Sequence, residues 1–188
     1  MKTVICGVGS GGINCLDSII GQLNQEFTSI AIGRDVNILN NSKANIKIIL
    51  PAVKSDKSEI KKAKPYLTSL APIFLETKKL IVISCLGGMT GSFFAGEVAR
   101  IGKENGGHII AIVTLPFDFE SEDRTQNCEV GIKLLRDHVD ELTFLPNQEL
   151  IQSATKNETM YLSLRKIDTF AIKFIEKIIC DQSELLIR

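Results

Sequence analysis

A chain of 188 residues, 44% of them hydrophobic, fills one buried core and falls short of two. Lys plus Arg and Asp plus Glu both total 22, so the net charge is zero and no long-range field draws the protein to nucleic acid or into an anionic membrane. The five cysteines contain no C-x-x-C pair, no apolar run reaches membrane-spanning length and the first residues lack a signal-peptide pattern. A disulfide framework, a zinc site and membrane insertion are therefore not indicated, and a soluble cytoplasmic protein is expected.

In chain order, short apolar, β-branched runs at Thr3–Cys6, Ser29–Ile32, Ile46–Leu50, Leu80–Cys85, Ile109–Val113 and Leu142–Leu145 read as strands, most of them buried on both faces. Helical spacing separates most of them, at Ile13–Leu23, Ser58–Leu75, Phe93–Lys103 and Asn127–His138. The alternation predicts a Rossmann-like α/β domain, a mostly parallel sheet flanked by helices. The basic stretch Lys54–Lys64 is interleaved with Asp56 and Glu59 and reads as a solvated helix face. From about residue 157 to 185 one long helix is expected, with Met160, Leu164, Ile167, Ala171, Phe174 and Ile178 on one stripe and Tyr161, Ile172, Ile175 and Ile179 on a neighbouring one. That apolar surface is too wide for a single contact, so a partner beyond the sheet domain is implied. With no linker or repeat, residues 1–188 form one domain.

The chemistry concentrates in glycines. Gly7-Val8-Gly9-Ser10-Gly11-Gly12 follows the first strand, opens the first helix and satisfies G-x-G-x-x-G. Glycines there let the main chain approach a phosphate, which the amide groups and partial positive charge of a helix amino end attract. The G-K-[ST] ending of a P-loop is absent. A second cluster, Gly87-Gly88-Met89-Thr90-Gly91-Ser92, follows the fourth strand. A dinucleotide fold seldom needs two such cradles, whereas a polyphosphate gripped from two helix amino ends uses both, with Thr90 and Ser92 hydroxyls as added donors.

These residues resemble the GTPase domain of the tubulin/FtsZ family over nearly the whole chain. Residues 7–14, GVGSGGIN, resemble its first glycine loop; 86–92, LGGMTGS, its tubulin signature; 114–120, TLPFDFE, its T-x-P-F-x-F-E segment; and Pro146-Asn147 with Leu150 its P-N-x-x-L stretch before a long central helix. The resemblance implies GTP or GDP as ligand, with Mg2+ accompanying it. Gly7, Gly9, Ser10, Gly11 and Gly12 would line the phosphates, helped by Gly87, Gly88, Met89, Thr90 and Gly91. Asn14, Asn147 and Asp168 occupy guanine-contacting positions, where a carboxylate accepts the N1 and N2 hydrogens and selects guanine over adenine. Glu120 matches a ribose contact and Arg124 an arginine near the phosphates. Each has a bland alternative: Asn147 as a helix cap, Asp168 as an exposed helix residue, Glu120 and Arg124 as a loop pair.

The pattern also departs from the family. Met89 stands where the signature has its third glycine, putting a side chain beside the phosphate path, and Phe93 replaces the final glycine, which tightens the second cradle and leaves GDP or weak binding open. Residues 51–59, PAVKSDKSE, lack the glycine-rich loop that covers the γ-phosphate. Gly33-Arg34-Asp35 replaces an N-T-D triplet, and Leu164 replaces a base-stacking aromatic. The family's second domain, whose acidic loop completes catalysis in the next subunit, has no counterpart within these residues. GTP hydrolysis is therefore expected to be absent or very slow, with self-association or a separate FtsZ-like C-terminal domain docking on the long helix. Two other readings stand beside this one. The first is a Rossmann NAD or FAD protein with Asp35 on the ribose, although no catalytic constellation accompanies it. The second is an interaction module that has kept the fold while Met89 and Phe93 fill the pocket.

Overall fold

All six apolar runs become strands of one parallel sheet; the four inner strands bury Val and Ile on both faces, whereas the two edge strands leave Ile49 and Phe144 exposed. The computed structural model describes residues 2–23, 25–51, 62, 65–145, 148 and 160–180, and only the backbone of 160–168 and 180. The strands are β1 (Lys2–Val8), β2 (Thr28–Gly33), β3 (Ile46–Ile49), β4 (Thr77–Cys85), β5 (His108–Thr114) and β6 (Glu141–Leu145), in the order β3-β2-β1-β4-β5-β6. The helices are α1 (Gly9–Ile20), α2 (Val36–Asn41), α3 (Ala71–Phe74), α4 (Met89–Glu104), α5 (Glu122–Arg136) and α6 (Met160–Cys180).

Side-chain alternation along each strand divides the core into two layers. Val4, Cys6, Val8, Leu80, Val82, Ile109 and Val113 meet Phe74 of α3, Phe94, Ala95 and Val98 of α4 and Leu135 of α5. Ile5, Ile81, Ile83, Ile110 and Ile112 meet Ile13, Leu16 and Ile19 of α1, Leu39 of α2 and Ala171, Ile172 and Ile175 of α6. Burial of this kind, at about 25 cal/mol per Å² of apolar surface, is the main favourable contribution to the fold.

Three expectations change. The helices α1, α4 and α5 begin four or five residues before Ile13, Phe93 and Asn127, because apolar periodicity starts only after a first turn dominated by glycines, hydroxyl residues or acids. The helix expected over Ser58–Leu75 is, where described, a helical stretch at 65–68, a turn, and then α3. Pro72 lies in the first turn of α3, and in a continuous helix its ring would strike the carbonyl four residues back. Most of the Lys54–Lys64 stretch lies outside the described residues. In α6, Ala171, Ile172 and Ile175 are all buried in one layer with Phe174, Ile178 and Ile179 packed around them. Among the described side chains of α6 the two stripes therefore act as one wide buried face, with Phe170 the large apolar residue left exposed. Lys79 Nζ, near the start of β4, donates to the Ile178 carbonyl and ties down the last turns of the helix. No helix among the described residues is long and apolar enough to cross a membrane.

Candidate functional site

Strand register brings the motif segments to one rim. Val8 pairs with Ile32 and Ser84, Cys85 with Thr114, and Thr114 with Leu145, so the carboxyl ends of β1, β2, β4, β5 and β6 lie side by side. The chain leaves β1 toward β2 and β3 on one side, then returns to place β4 on the other. The sheet's switch point therefore falls between β1 and β4, where the two glycine clusters emerge.

The two helix starts touch there. Gly9 has φ +76°, a conformation that favours glycine, and a Cβ on it would lie 3.1 Å from the Gly91 nitrogen and 3.5 Å from the Thr90 Cβ. Neither N-cap residue, Val8 for α1 or Gly88 for α4, supplies a side-chain cap, and neither first turn carries an acidic residue. The first turn of α5, by contrast, holds Glu122 and Asp123. Both ends at the switch point thus keep their partial positive charge without a resident carboxylate, which is the electrostatic requirement of an anion cradle. Gly88 borders open space, with nothing within 4 Å of where its Cβ would be.

The remaining glycines serve packing. A Cβ on Gly11 would come 2.5 Å from Cys85 Sγ, on Gly12 2.5 Å from the Ile83 oxygen, and on Gly91 2.5 Å from the Cys85 oxygen, so α1 and α4 press directly on β4. Gly7 sits beneath the Gly12 carbonyl, within β1. Ser10 and Asn14 are exposed along α1. The second loop is braced from several directions: Gly87 N donates to Ser92 Oγ at 2.8 Å, and Asn127 Nδ2 donates to the Gly87 oxygen at 3.2 Å.

Met89 and Phe93 lie differently from the sequence expectation. Asn127 Nδ2 also contacts Met89 Sδ at 3.9 Å, so the thioether leans toward α5 and away from Gly9. Phe93 is half-buried against the layer shared by α4 and α5. Phe93 thus gains burial that the rim does not offer, while Met89 meets the Asn127 amide of α5. Glu120 accepts from the Phe117 N–H at 2.8 Å and ion-pairs with Arg124 Nε, joining the TLPFDFE segment to α5. Asn147 falls outside the described residues. Asp168 is placed on α6 by its backbone alone.

Arg34 carries a contact that the sequence reading noted only as a substitution. Its Nε donates to Thr90 Oγ1 at 3.1 Å, across 56 positions of chain. Asp35, the candidate ribose ligand of a dinucleotide fold, caps α2 by accepting from Asn37 N at 2.9 Å and Ile38 N at 3.2 Å. Burial pushes the Cys6 thiol far above its ordinary range and raises that of Cys128, where Glu129 adds to the effect, so neither is a ready nucleophile. A separate cavity of about 610 Å³, lined in part by Lys2, Phe27, Thr28 and Asn45, lies at the opposite rim.

Fold and rim together define a Rossmann-like α/β domain whose two glycine-opened helices converge at the switch point of the sheet. Comparison with known proteins gives the lineage. The family described as Tubulin/FtsZ family, GTPase domain, matches residues 74–155. Cell division protein FtsZ of Helicobacter pylori (strain ATCC 700392 / 26695) is 29% identical over 94% of this chain and 48% of its own length. An FtsZ dimer from M. jannaschii superposes with TM-score 0.82 at 25% identity, covering 95% of this chain and 54% of that one. CetZ2 from Haloferax volcanii, a GTPgS-bound protofilament, gives 0.82 at 17% identity over 98% and 62%, a likeness of fold alone. The chain is thus similar in sequence and in fold to the GTPase domain of the tubulin/FtsZ family, and it spans about half the length of the curated relatives it matches.

Proposed function

We propose that this chain is the guanine-nucleotide-binding domain of an FtsZ-like protein and holds GTP or GDP between the amino ends of α1 and α4. The observation that carries this reading is the Gly9–Gly91 contact at the switch point, where both helix starts lack a side-chain cap and an acidic first turn. The phosphates lie over Gly9, Ser10, Gly88, Thr90 and Gly91, while Gly7, Gly11, Gly12 and Gly87 set the spacing behind them. Asn14, Asn147 and Asp168 are assigned to the base, the Asp168 carboxylate selecting guanine. Glu120 and Arg124 brace the ribose side as a pair. Mg2+ would accompany the nucleotide in this reading, its charge offsetting that of the phosphates.

Within this reading no residue of the chain is assigned to activating water, and hydrolysis stays slow until a second copy or an FtsZ-like C-terminal domain docks on α6 and supplies carboxylates. The setting in this reading is cytoplasmic, in cell division or another filament system; the relatives named above are cell division proteins. Titration with mantGTP, mantGDP and mantATP tests the proposal, together with thermal melts. A guanine nucleotide at 100 times its Kd stabilises the chain by about 2.7 kcal/mol. Unchanged melting with both guanine nucleotides, beside saturable NAD or FAD binding, overturns it.

A further inference from the structure

We propose that Asn127 is a positioning residue for phosphate binding, whose side-chain amide holds the Met89 thioether on the α5 side of the second glycine loop and keeps it out of the phosphate path. The inference rests on the nucleotide reading above and adds to it a residue outside both glycine clusters. Met89 is the first residue of α4 and lies between Gly88 and Thr90, over which the phosphates are assigned. The main chain around it is rich in donors: the Gly88 carbonyl accepts the first helical bond from Ser92 N at 3.0 Å, so the N–H groups of Met89, Thr90 and Gly91 precede the helical ladder. A methionine side chain turned across them would cover the donors that an anion needs.

Strand order gives the loop two flanks. Because β4 lies between β1 and β5, the turn after β4 has Gly9 and α1 on one side and α5 on the other. Met89 has an unbranched side chain with three rotatable bonds, which by itself favours neither flank. The Asn127 amide decides between them. Its Nδ2 carries two hydrogens; it donates to the Gly87 oxygen at 3.2 Å and contacts Met89 Sδ at 3.9 Å. The first bond anchors the amide to the main chain of the loop, and the second draws the thioether toward α5. Close packing of α5 on α4 fixes the reach of Asn127 in turn. Arg124, Asn127, Gly131 and Leu134 recur at helical spacing along one face of α5. A Cβ on Gly131 would lie 2.9 Å from Ser92 Cα, one on Gly96 of α4 2.8 Å from Leu134 Cβ, and one on Gly87 3.3 Å from Arg124 Cβ. With so little room between the helices, the amide stays level with the loop.

The test measures the mantGDP affinity of the full chain in a cycle of wild type, Asn127→Ala, Met89→Ala and the double variant. Asn127→Ala is expected to weaken binding by about 10-fold and Met89→Ala to change it by less than about 3-fold, while the double variant returns to within about 3-fold of wild type, a coupling of the size found between residues in contact. A residue that merely braced the loop would leave the double variant as weak as Asn127→Ala. Alanine suits a helix interior, and ligand-free melts check that each variant folds. If Asn127→Ala does not, Asn127→Leu, which has similar bulk and no side-chain N–H, enters the same cycle. Unchanged affinity in the Asn127 variant, or a loss that Met89→Ala does not relieve, overturns the role of Asn127 and leaves the nucleotide reading intact. A wild-type chain that binds neither mantGDP nor mantGTP overturns both.

Discussion

Replacing Gly88 by alanine separates a packing role of the second glycine loop from a ligand role. The new Cβ would meet nothing within 4 Å, and the φ of −78° at this residue suits any side chain. Reduced freedom of the unfolded chain favours alanine by roughly 0.4–1 kcal/mol, while the weaker N-cap preference of alanine opposes it by a similar amount. Stability should therefore stay within about 0.5 kcal/mol of wild type. Gly91→Ala is the contrasting case, since its Cβ would fall 2.5 Å from the Cys85 oxygen and 2.6 Å from Ser84 Oγ. A backbone carbonyl cannot rotate aside, so α4 must retreat, at a cost of about 1–3 kcal/mol, offset in part by up to about 1 kcal/mol of helix propensity. Urea melts measure both changes. In titrations with mantGDP, the methyl at position 88 occupies the space that the phosphates need, and affinity should fall about 10-fold, or about 1.4 kcal/mol. A Gly88→Ala protein with native stability and unaltered affinity for the nucleotide would refute the placement of phosphates over this loop, and a loss of stability above about 2 kcal/mol would refute the packing argument.

Other consequences can be measured directly. Burial pushes the Asp140 carboxyl up, but the Ile109 N–H, Lys103 and His108 outweigh it and hold the group below the usual range. A lowered folded value means that its stabilisation is complete above the unfolded pKa of about 3.9 and is lost as pH falls through the folded value. Urea midpoints between pH 7 and pH 3 should thus decline less in Asp140→Asn than in wild type, and equal declines would contradict the assignment. Glu120→Ala removes both the Phe117 N–H bond and the Arg124 pair, so it should cost about 1–2 kcal/mol and speed amide exchange at Phe117; unaltered exchange would show that the loop is braced elsewhere. Cys6, fully buried within β1, should resist Ellman's reagent in the native protein and react on unfolding, whereas prompt native labelling would contradict its burial.

The four inner strands were legible because Val and Ile runs buried on both faces leave the same mark in any parallel sheet. Helix starts were less so: an apolar period cannot register a first turn such as Gly9-Ser10-Gly11-Gly12 or Glu122-Asp123, which has no apolar member. The α2 helix was missed because six residues with three asparagines show neither period nor propensity, although Asp35 placed before Val36 was a usable cap signal. The break before α3 could have been read from Pro72. For the site, the glycine clusters are local patterns and stand out in the sequence. The Arg34–Thr90 and Asn127–Gly87 bonds depend on which strands become neighbours, and no spacing in the chain encodes that. The lean of Met89 and Phe93 toward α5 likewise became visible only once the seam between α4 and α5 existed.

Direct contact of Gly11, Gly12 and Gly91 with β4 leaves no methyl's width of slack between the helices and the sheet. The bite of the rim is therefore a mould cast during folding, with its main-chain dipoles already aimed. A polyanion entering it meets a rigid receptor, and the ordering cost of loop closure that weakens adaptable sites is largely absent. The same rigidity makes those three positions intolerant of even the smallest side chain, so variation in what the rim accepts has to come from residues that reach over it.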